Sequence, residues 1–238
     1  MRNPPSTFVL VHGAWHGGWC WRRVAERLQK PGHRVYTPTL TGLGERAHLL
    51  TSAVDVETHI RDVLGLLEAE ELENVVLAGH SYAGLVISGV AARAKQRLRQ
   101  LVYLDALIVE DGQSWAEAFP PEVAEARRNS AVVTNGVKAL PPPDPAIYGF
   151  ADAADTEWVR RRLTPHPFAA FEQKMRWGGA VGNGLPKVYV DCTSPKLAAL
   201  DAMKKHHRAG WEFVELKTGH DLMVSAPEET AQILLRTA

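Results

Sequence analysis

What the chain has little of narrows it first. Only two cysteines, Cys20 and Cys192, stand in 238 residues. They are far apart and form no C-x-x-C pair, so neither a disulfide framework nor a zinc knuckle is indicated, and both are expected as reduced, partly buried thiols. An excess of charge of one sign is missing too. Lys plus Arg and Asp plus Glu each number 27, which leaves no global field to draw in nucleic acid or an anionic membrane surface. No apolar stretch reaches membrane-spanning length. The opening residues, Met1-Arg2-Asn3-Pro4-Pro5-Ser6, lead straight into a strand-like run without the apolar core and cleavage site of a signal peptide. There is no internal repeat, and no low-complexity tract beyond Pro141-Pro142-Pro143-Asp144-Pro145. These absences predict a cytoplasmic protein with a small-molecule partner, neither nucleic acid nor membrane, and leave room for a homodimer.

What is present alternates. Phe8-Val9-Leu10-Val11 reads as a buried strand, and Trp21, Val24, Ala25 and Leu28 follow at helical spacing up to Pro31-Gly32. Strand Arg34–Thr37, the helical stripe Ile60, Val63, Leu64 and Leu67, strand Val75–Ala78, a helix from Leu85, and strand Leu101–Leu104 continue the pattern. Strands alternating with helices predict an α/β fold: a doubly wound, mostly parallel sheet of about six strands with helices on both faces. From 109 to 185 the character changes: the proline run interrupts, helical patches such as Thr156–Leu163 appear, and no strand run of the earlier kind recurs. This stretch is predicted to be an inserted, mainly helical lid, with residues 1–108 and 186–238 forming the core. The alternation resumes with Lys187–Cys192, a helix around Leu197–His207, strand Trp211–Leu216 and a last helix opened by Pro227.

The chemistry centres on Gly79-His80-Ser81-Tyr82-Ala83-Gly84, between the strand at 75–78 and the helix from Leu85. As a G-x-S-x-G motif it is displaced by one residue, since Ala83 fills the slot of the second glycine. A serine on a sharp strand-to-helix turn needs small neighbours, and alanine meets that need. The plainer reading of this stretch alone is an ordinary turn with a surface serine. In an open parallel sheet, functional residues gather outside the carboxyl ends of the strands, and several polar residues fall there: His12-Gly13-Ala14, Ser81, Asp105 and Gly219-His220-Asp221. A serine hydroxyl needs a base near neutral pH, and His220 is the candidate. Charge building on a carbonyl oxygen needs backbone donors, for which the amides of Tyr82 and Ala14 are placed. His206-His207 are adjacent on one helix, and His12 with His16 lack a helix to align them, so no metal site is expected. No cofactor is required.

These residues resemble the α/β-hydrolase superfamily, and more narrowly its branch of plant methylesterases, salicylate-binding esterases, hydroxynitrile lyases and related bacterial esterases. The resemblance rests on the run from Phe8 through His12-Gly13-Ala14-Trp15-His16-Gly17-Gly18-Trp19-Cys20-Trp21, on Gly79 to Gly84, and on Gly219-His220 with Pro227. It implies Ser81 as nucleophile, His220 as base, and the amides of Ala14 and Tyr82 as the oxyanion hole. The acid departs from the pattern. Many members place an Asp just after the strand corresponding to 188–192, where this chain reads Thr193-Ser194-Pro195-Lys196-Leu197. Asp105 is the first choice, because some α/β-hydrolases carry the acid after that strand; Asp191 and Asp201 stand in reserve. The lyases of the branch are expected to carry Thr where this chain has Gly13 and Lys where it has Asp221.

The stretch 109–185 is rich in large apolar residues. With His12 and Trp15, the residues Trp115, Phe119, Trp158, Phe168 and Trp177 are predicted to line a substrate pocket, against the plainer reading that they pack on the core. Arg160-Arg161-Arg162 reads as a solvated helix face. The function expected is a serine hydrolase cleaving a small hydrophobic carboxylic ester through an acyl-enzyme. Its rivals are lyase-type C–C cleavage of cyanohydrins and a ligand-binding or sensor protein with little turnover.

Overall fold

Strands buried on both faces read as continuous apolar runs, and in the computed structural model of the chain such runs form one parallel sheet. The structure describes residues 5–134, 136–197, 200 and 210–237. Strands β1 (Thr7–Val11), β2 (Arg34–Tyr36), β3 (Val75–His80), β4 (Leu98–Leu104), β8 (Lys187–Cys192) and β9 (Glu212–Leu216) make a six-stranded sheet in the order β2-β1-β3-β4-β8-β9. Every pairing in it is parallel. The order reverses between β1 and β3, because the chain leaves β1 for β2 on one side and returns to β3 on the other. A crevice opens at that switch point, which is where the loops carrying Ala14 and Ser81 begin.

Alternate residues of each strand point to opposite faces, and the two faces bury different helices. Val9, Val11, Leu77, Leu101 and Tyr103 pack with α2 (Val56–Ala69) and α3 (Ala83–Ala94). Phe8, Leu10, Val76, Ala78, Val102 and Leu104 pack with α1 (Arg22–Gln29) and with Leu234 of the C-terminal helix Pro227–Arg236. Helix α2 starts at a reciprocal cap, in which the Asp55 carboxylate accepts from the Thr58 amide and the Thr58 hydroxyl accepts from the Asp55 amide. No helix among the described residues is long and apolar enough to cross a membrane.

Between β4 and β8 the segment is mainly helical, as expected, but it also holds strands that the sequence did not announce. Alongside α4 (Pro121–Ser130), α5 (Ala153–Arg160) and α6 (Phe168–Glu172) lies a three-stranded antiparallel sheet of β5 (Val132–Thr134), β6 (Val137–Leu140) and β7 (His166–Pro167). Its strands are two to four residues long, too short to give the apolar runs by which the core strands announce themselves. The expected helix around 197–207 falls mostly outside the described residues, as does Asp201. The segment is tied back to the core by Arg23 of α1, which grips the Asp155 carboxylate of α5 with two nitrogens at 2.6 and 3.1 Å.

Candidate active site

The turn after β3 holds Ser81 at φ 54, a left-handed backbone that a non-glycine residue rarely adopts. What forces it is close packing on both sides. A Cβ at Gly79 would lie 2.8 Å from the Ala83 carbonyl oxygen, and one at Gly84 would collide with that of Leu107, whose own amide donates to the Ser81 carbonyl at 2.8 Å. The displaced glycine is thus required where it stands, and position 83 needs only a small residue.

His220 lies in the loop after β9, and its Nε2 is 3.0 Å from Ser81 Oγ. Its Nδ1 is 2.6 Å from the carboxylate of Asp105, which is fully buried after β4. A carboxylate can only accept, so Nδ1 carries the proton and Nε2 presents its lone pair to the serine hydroxyl. The second Asp105 oxygen accepts from the Cys192 amide at 3.3 Å, so the carboxylate reaches across the end of β8 to meet His220. Asp191 lies inside β8 instead. Neither the Ala14 nor the Tyr82 amide donates to a backbone carbonyl in the turns, loops and caps of the described residues.

Behind these atoms, histidines join the loops of the rim. His12 donates from Nδ1 to the Gly13 carbonyl at 2.8 Å and accepts the Leu40 amide on Nε2 at 3.0 Å. Burial keeps it neutral, with its pKa lowered to about 3. The carbonyl of Gly13 and the N–H of Ala14 belong to one peptide and point in opposite directions, so pinning the carbonyl aims the amide. His80 donates from Nε2 to the His220 carbonyl at 2.9 Å and is likewise held neutral, chiefly by burial, at about 3. His16 bridges the Ala14 carbonyl at 2.7 Å and Asp221 at 3.0 Å. Two acceptors on one imidazole call for a doubly protonated ring. Burial opposes that charge, but Asp221 outweighs it and raises the pKa of His16, while His16 in turn holds the buried Asp221 carboxyl below its ordinary range. Tyr82 is anchored through its hydroxyl, 2.7 Å from Nδ1 of His59.

His80, His220 and Asp221 bring potential metal-ligand atoms within 4.8 Å of one another. Both ring nitrogens of His220 are already engaged by Asp105 and Ser81, and the Asp221 carboxylate by His16. The arrangement suits proton transfer better than coordination.

The serine and histidine open onto a cavity lined by Trp15, Tyr82, Leu107, Trp115, Phe119, Arg127, Tyr148 and Leu200, among others. Of the residues expected in the pocket, Trp15, Trp115 and Phe119 are there. Four are not. His12 sits behind the loop, as described. Trp158 packs edge-on to Trp19, with ring centroids 5.0 Å apart, and carries the Arg162 guanidinium on its face, on the α1 side of the sheet. Phe168 packs on Phe171 beneath the Lys138 ammonium, and the Trp177 indole donates to the Val109 carbonyl near Gly89 of α3. The plainer reading, that lid aromatics pack on the core, holds for these three. Arg160 of the basic triplet pairs with Asp144 and Glu157 outside the cavity. Sequence reasoning passed over Tyr148 and Arg127, since nothing local marks either as facing a cavity.

Residues 8–233 match the model of the alpha/beta hydrolase family. A carbendazim hydrolyzing esterase of Nocardioides is 44% identical to the chain, with 96% of this chain and 98% of that protein aligned. Methylesterase 10 of Arabidopsis thaliana is 25% identical over 97% of this chain and 91% of its own. Among solved structures, an extracellular α/β-hydrolase of a Paenibacillus species superposes with a TM-score of 0.82 at 25% identity, covering 98% of this chain and 99% of that one. A pyrethroid hydrolase of Sphingobium faniae, at 22% identity and a TM-score of 0.71 over 98% and 97%, shares the fold. With the family matched over nearly its whole length and an esterase so similar across it, the chain belongs to the alpha/beta hydrolase family and is an enzyme of carboxylesterase type.

Proposed function

We propose that the chain hydrolyses small, largely apolar carboxylic esters through an acyl-enzyme on Ser81. The observation that carries this reading is the continuous hydrogen-bonded relay from Ser81 Oγ to His220 at 3.0 Å and on to Asp105 at 2.6 Å. His220 Nε2 takes the hydroxyl proton as Oγ bonds to the ester carbonyl carbon. The electron pair of the C=O bond moves to oxygen and is held by the Ala14 and Tyr82 amides. Collapse of this intermediate breaks the C–O bond, and the imidazolium returns its proton to the departing alkoxide. Water then repeats the sequence on the acyl-enzyme and releases the acid. Asp105 fixes the tautomer throughout and stabilises the imidazolium.

The apolar and aromatic side chains that line the cavity support a hydrophobic acyl or alcohol group. Carbendazim belongs in the substrate panel because the relative at 44% identity is named for hydrolysing it. The lyase reading loses ground on two residues: a Cβ at Gly13 would lie 2.9 Å from the His80 ring, and Asp221 is committed to His16. The burial of both cysteines, Cys20 and Cys192, is consistent with the cytoplasmic setting.

The test is covalent. Incubation with a fluorophosphonate should label Ser81 rapidly, and Ser81→Ala should abolish both labelling and 4-nitrophenyl acetate turnover while leaving the circular dichroism spectrum unchanged. An inert Ser81 in the folded wild-type protein would favour a binding or sensor role instead.

A further inference from the structure

Two adjacent arginines end helix α4, and their surroundings differ. Arg128 pairs with the carboxylates of Glu172 and Glu125. Arg127 turns into the cavity that holds Ser81 and His220. There its guanidinium lies over the rings of Phe119 at 5.0 Å, Trp15 at 5.7 Å and Trp115 at 6.0 Å. Among the described residues it has no ion-pair partner, and its buried Nε has no hydrogen-bond acceptor. No described residue lining the cavity is an Asp or a Glu. Tyr148 lines the same cavity, and its buried hydroxyl also has no hydrogen-bond partner among the described residues.

A cation drawn partly out of water loses solvation that ring faces alone restore only in part. Burial accordingly lowers the pKa of Arg127. The cost of such an arrangement is recovered when an anion arrives. The planar fork of a guanidinium matches a carboxylate with two parallel hydrogen bonds, and a phenolic hydroxyl can add a third.

We propose that Arg127 and Tyr148 form a carboxylate subsite, so that the preferred substrates are aromatic esters bearing a free carboxylate in addition to the ester that reacts. This rests on the esterase reading of Ser81 and adds a substrate class to it. The unreacting carboxylate would orient the substrate while the apolar walls take up its ring. A hydrophobic pocket alone discriminates weakly between such compounds and their neutral analogues, whereas a site with unpaired polar groups discriminates strongly.

The experiment compares 3- and 4-acetoxybenzoate with the isosteric, neutral 3- and 4-acetoxybenzamide, for wild type, Arg127→Gln and Arg127→Lys. The readout is the ratio of kcat/KM for acid over amide, which cancels losses common to both substrates. In the wild type the ratio is expected to exceed about 10 for at least one isomer, as for a charge-assisted hydrogen-bonded pair. Arg127→Gln should bring it to about 1, and Arg127→Lys to an intermediate value, since an ammonium lacks the fork. A wild-type ratio at or below 1 overturns the subsite, as does a ratio unchanged by Arg127→Gln. If Arg127→Gln is inactive, Arg127→Lys decides, and an unchanged ratio there has the same force. Turnover of the amides by wild type, abolished in Ser81→Ala, separates failure of the subsite from failure of the esterase reading.

Discussion

The rim of the parallel sheet and the segment that covers it solve opposite problems. At the rim, buried polar side chains are each tied to the network by at least one atom: His12 to Gly13 and Leu40, His16 to Ala14 and Asp221, His80 to the His220 backbone, and His220 to Asp105 and Ser81, with only His80 Nδ1 and Asp221 Oδ1 lacking a hydrogen-bond partner among these described residues. In the cover, between β4 and β8, the cavity wall is mostly apolar, and the Arg127 Nε and the Tyr148 hydroxyl have no hydrogen-bond partner among the described residues. Satisfied networks hold atoms in place, whereas unpaired groups wait for a ligand. The difference assigns positional accuracy to the rim and choice of substrate to the cover, and it can be broken from either side.

The largest effect is expected at Asp105. Asp105→Asn keeps the shape but removes the carboxylate that selects the Nδ1–H tautomer, and loss of the equivalent carboxylate in serine hydrolases costs about 10⁴ in kcat. The loss should fall on kcat with KM little changed, measured on 4-nitrophenyl acetate. Retention of more than about a tenth of wild-type kcat would remove Asp105 from the relay.

Next comes the buried pair of His16 and Asp221, which ties the loop after β1 to the loop after β9. Breaking a buried ion pair by removing one partner costs about 3–5 kcal/mol, so Asp221→Asn should lower the melting temperature markedly. The sign of the pH dependence follows from the two shifts. Asp221 is depressed when folded, so its contribution is present above the unfolded value of about 3.9 and fades as pH falls through the lower folded value. His16 is raised when folded, so its contribution is complete below about 6.5 and fades as pH rises through the higher folded value. The gap between wild type and Asp221→Asn should therefore be widest between about pH 4 and 6.5 and narrow on either side. A gap independent of pH would show that packing, not charge, links the loops.

The same contrast explains what could be read in advance. Apolar strand runs and the small residues around Ser81 are local signals, and the strand-end rule then led to His220 and to the loop holding Ala14. Asp105 could be ranked but not fixed, because its reach to His220 depends on β8 lying between β4 and β9 and ending where the carboxylate can pass, a fact of sheet order and not of spacing. The link between His16 and Asp221 spans 205 residues and leaves no periodic trace. In the cover, strands of two to four residues fell below the length at which alternation is legible. Arg127 and Arg128 are chemically identical neighbours on the helix, and only the direction of each side chain separates the one in the cavity from the one on a surface ion pair.

The smallest effect tests whether aromatic residues of the cover divide as the geometry divides them. Phe119 lines the cavity with Ser81, so Phe119→Ala removes apolar surface from the site and should raise KM for a hydrophobic ester several-fold, on the order of 1 kcal/mol. Trp158 lies on the α1 side of the sheet against Trp19 and Arg162, and Trp158→Ala should lower stability while leaving KM within about twofold, as expected of a core truncation remote from the site. Steady-state kinetics on 4-nitrophenyl butyrate, paired with thermal melts, separate the two. If Trp158→Ala shifts KM as much as Phe119→Ala does, the cover acts on the substrate as one packed body, and the division between walls and struts is lost.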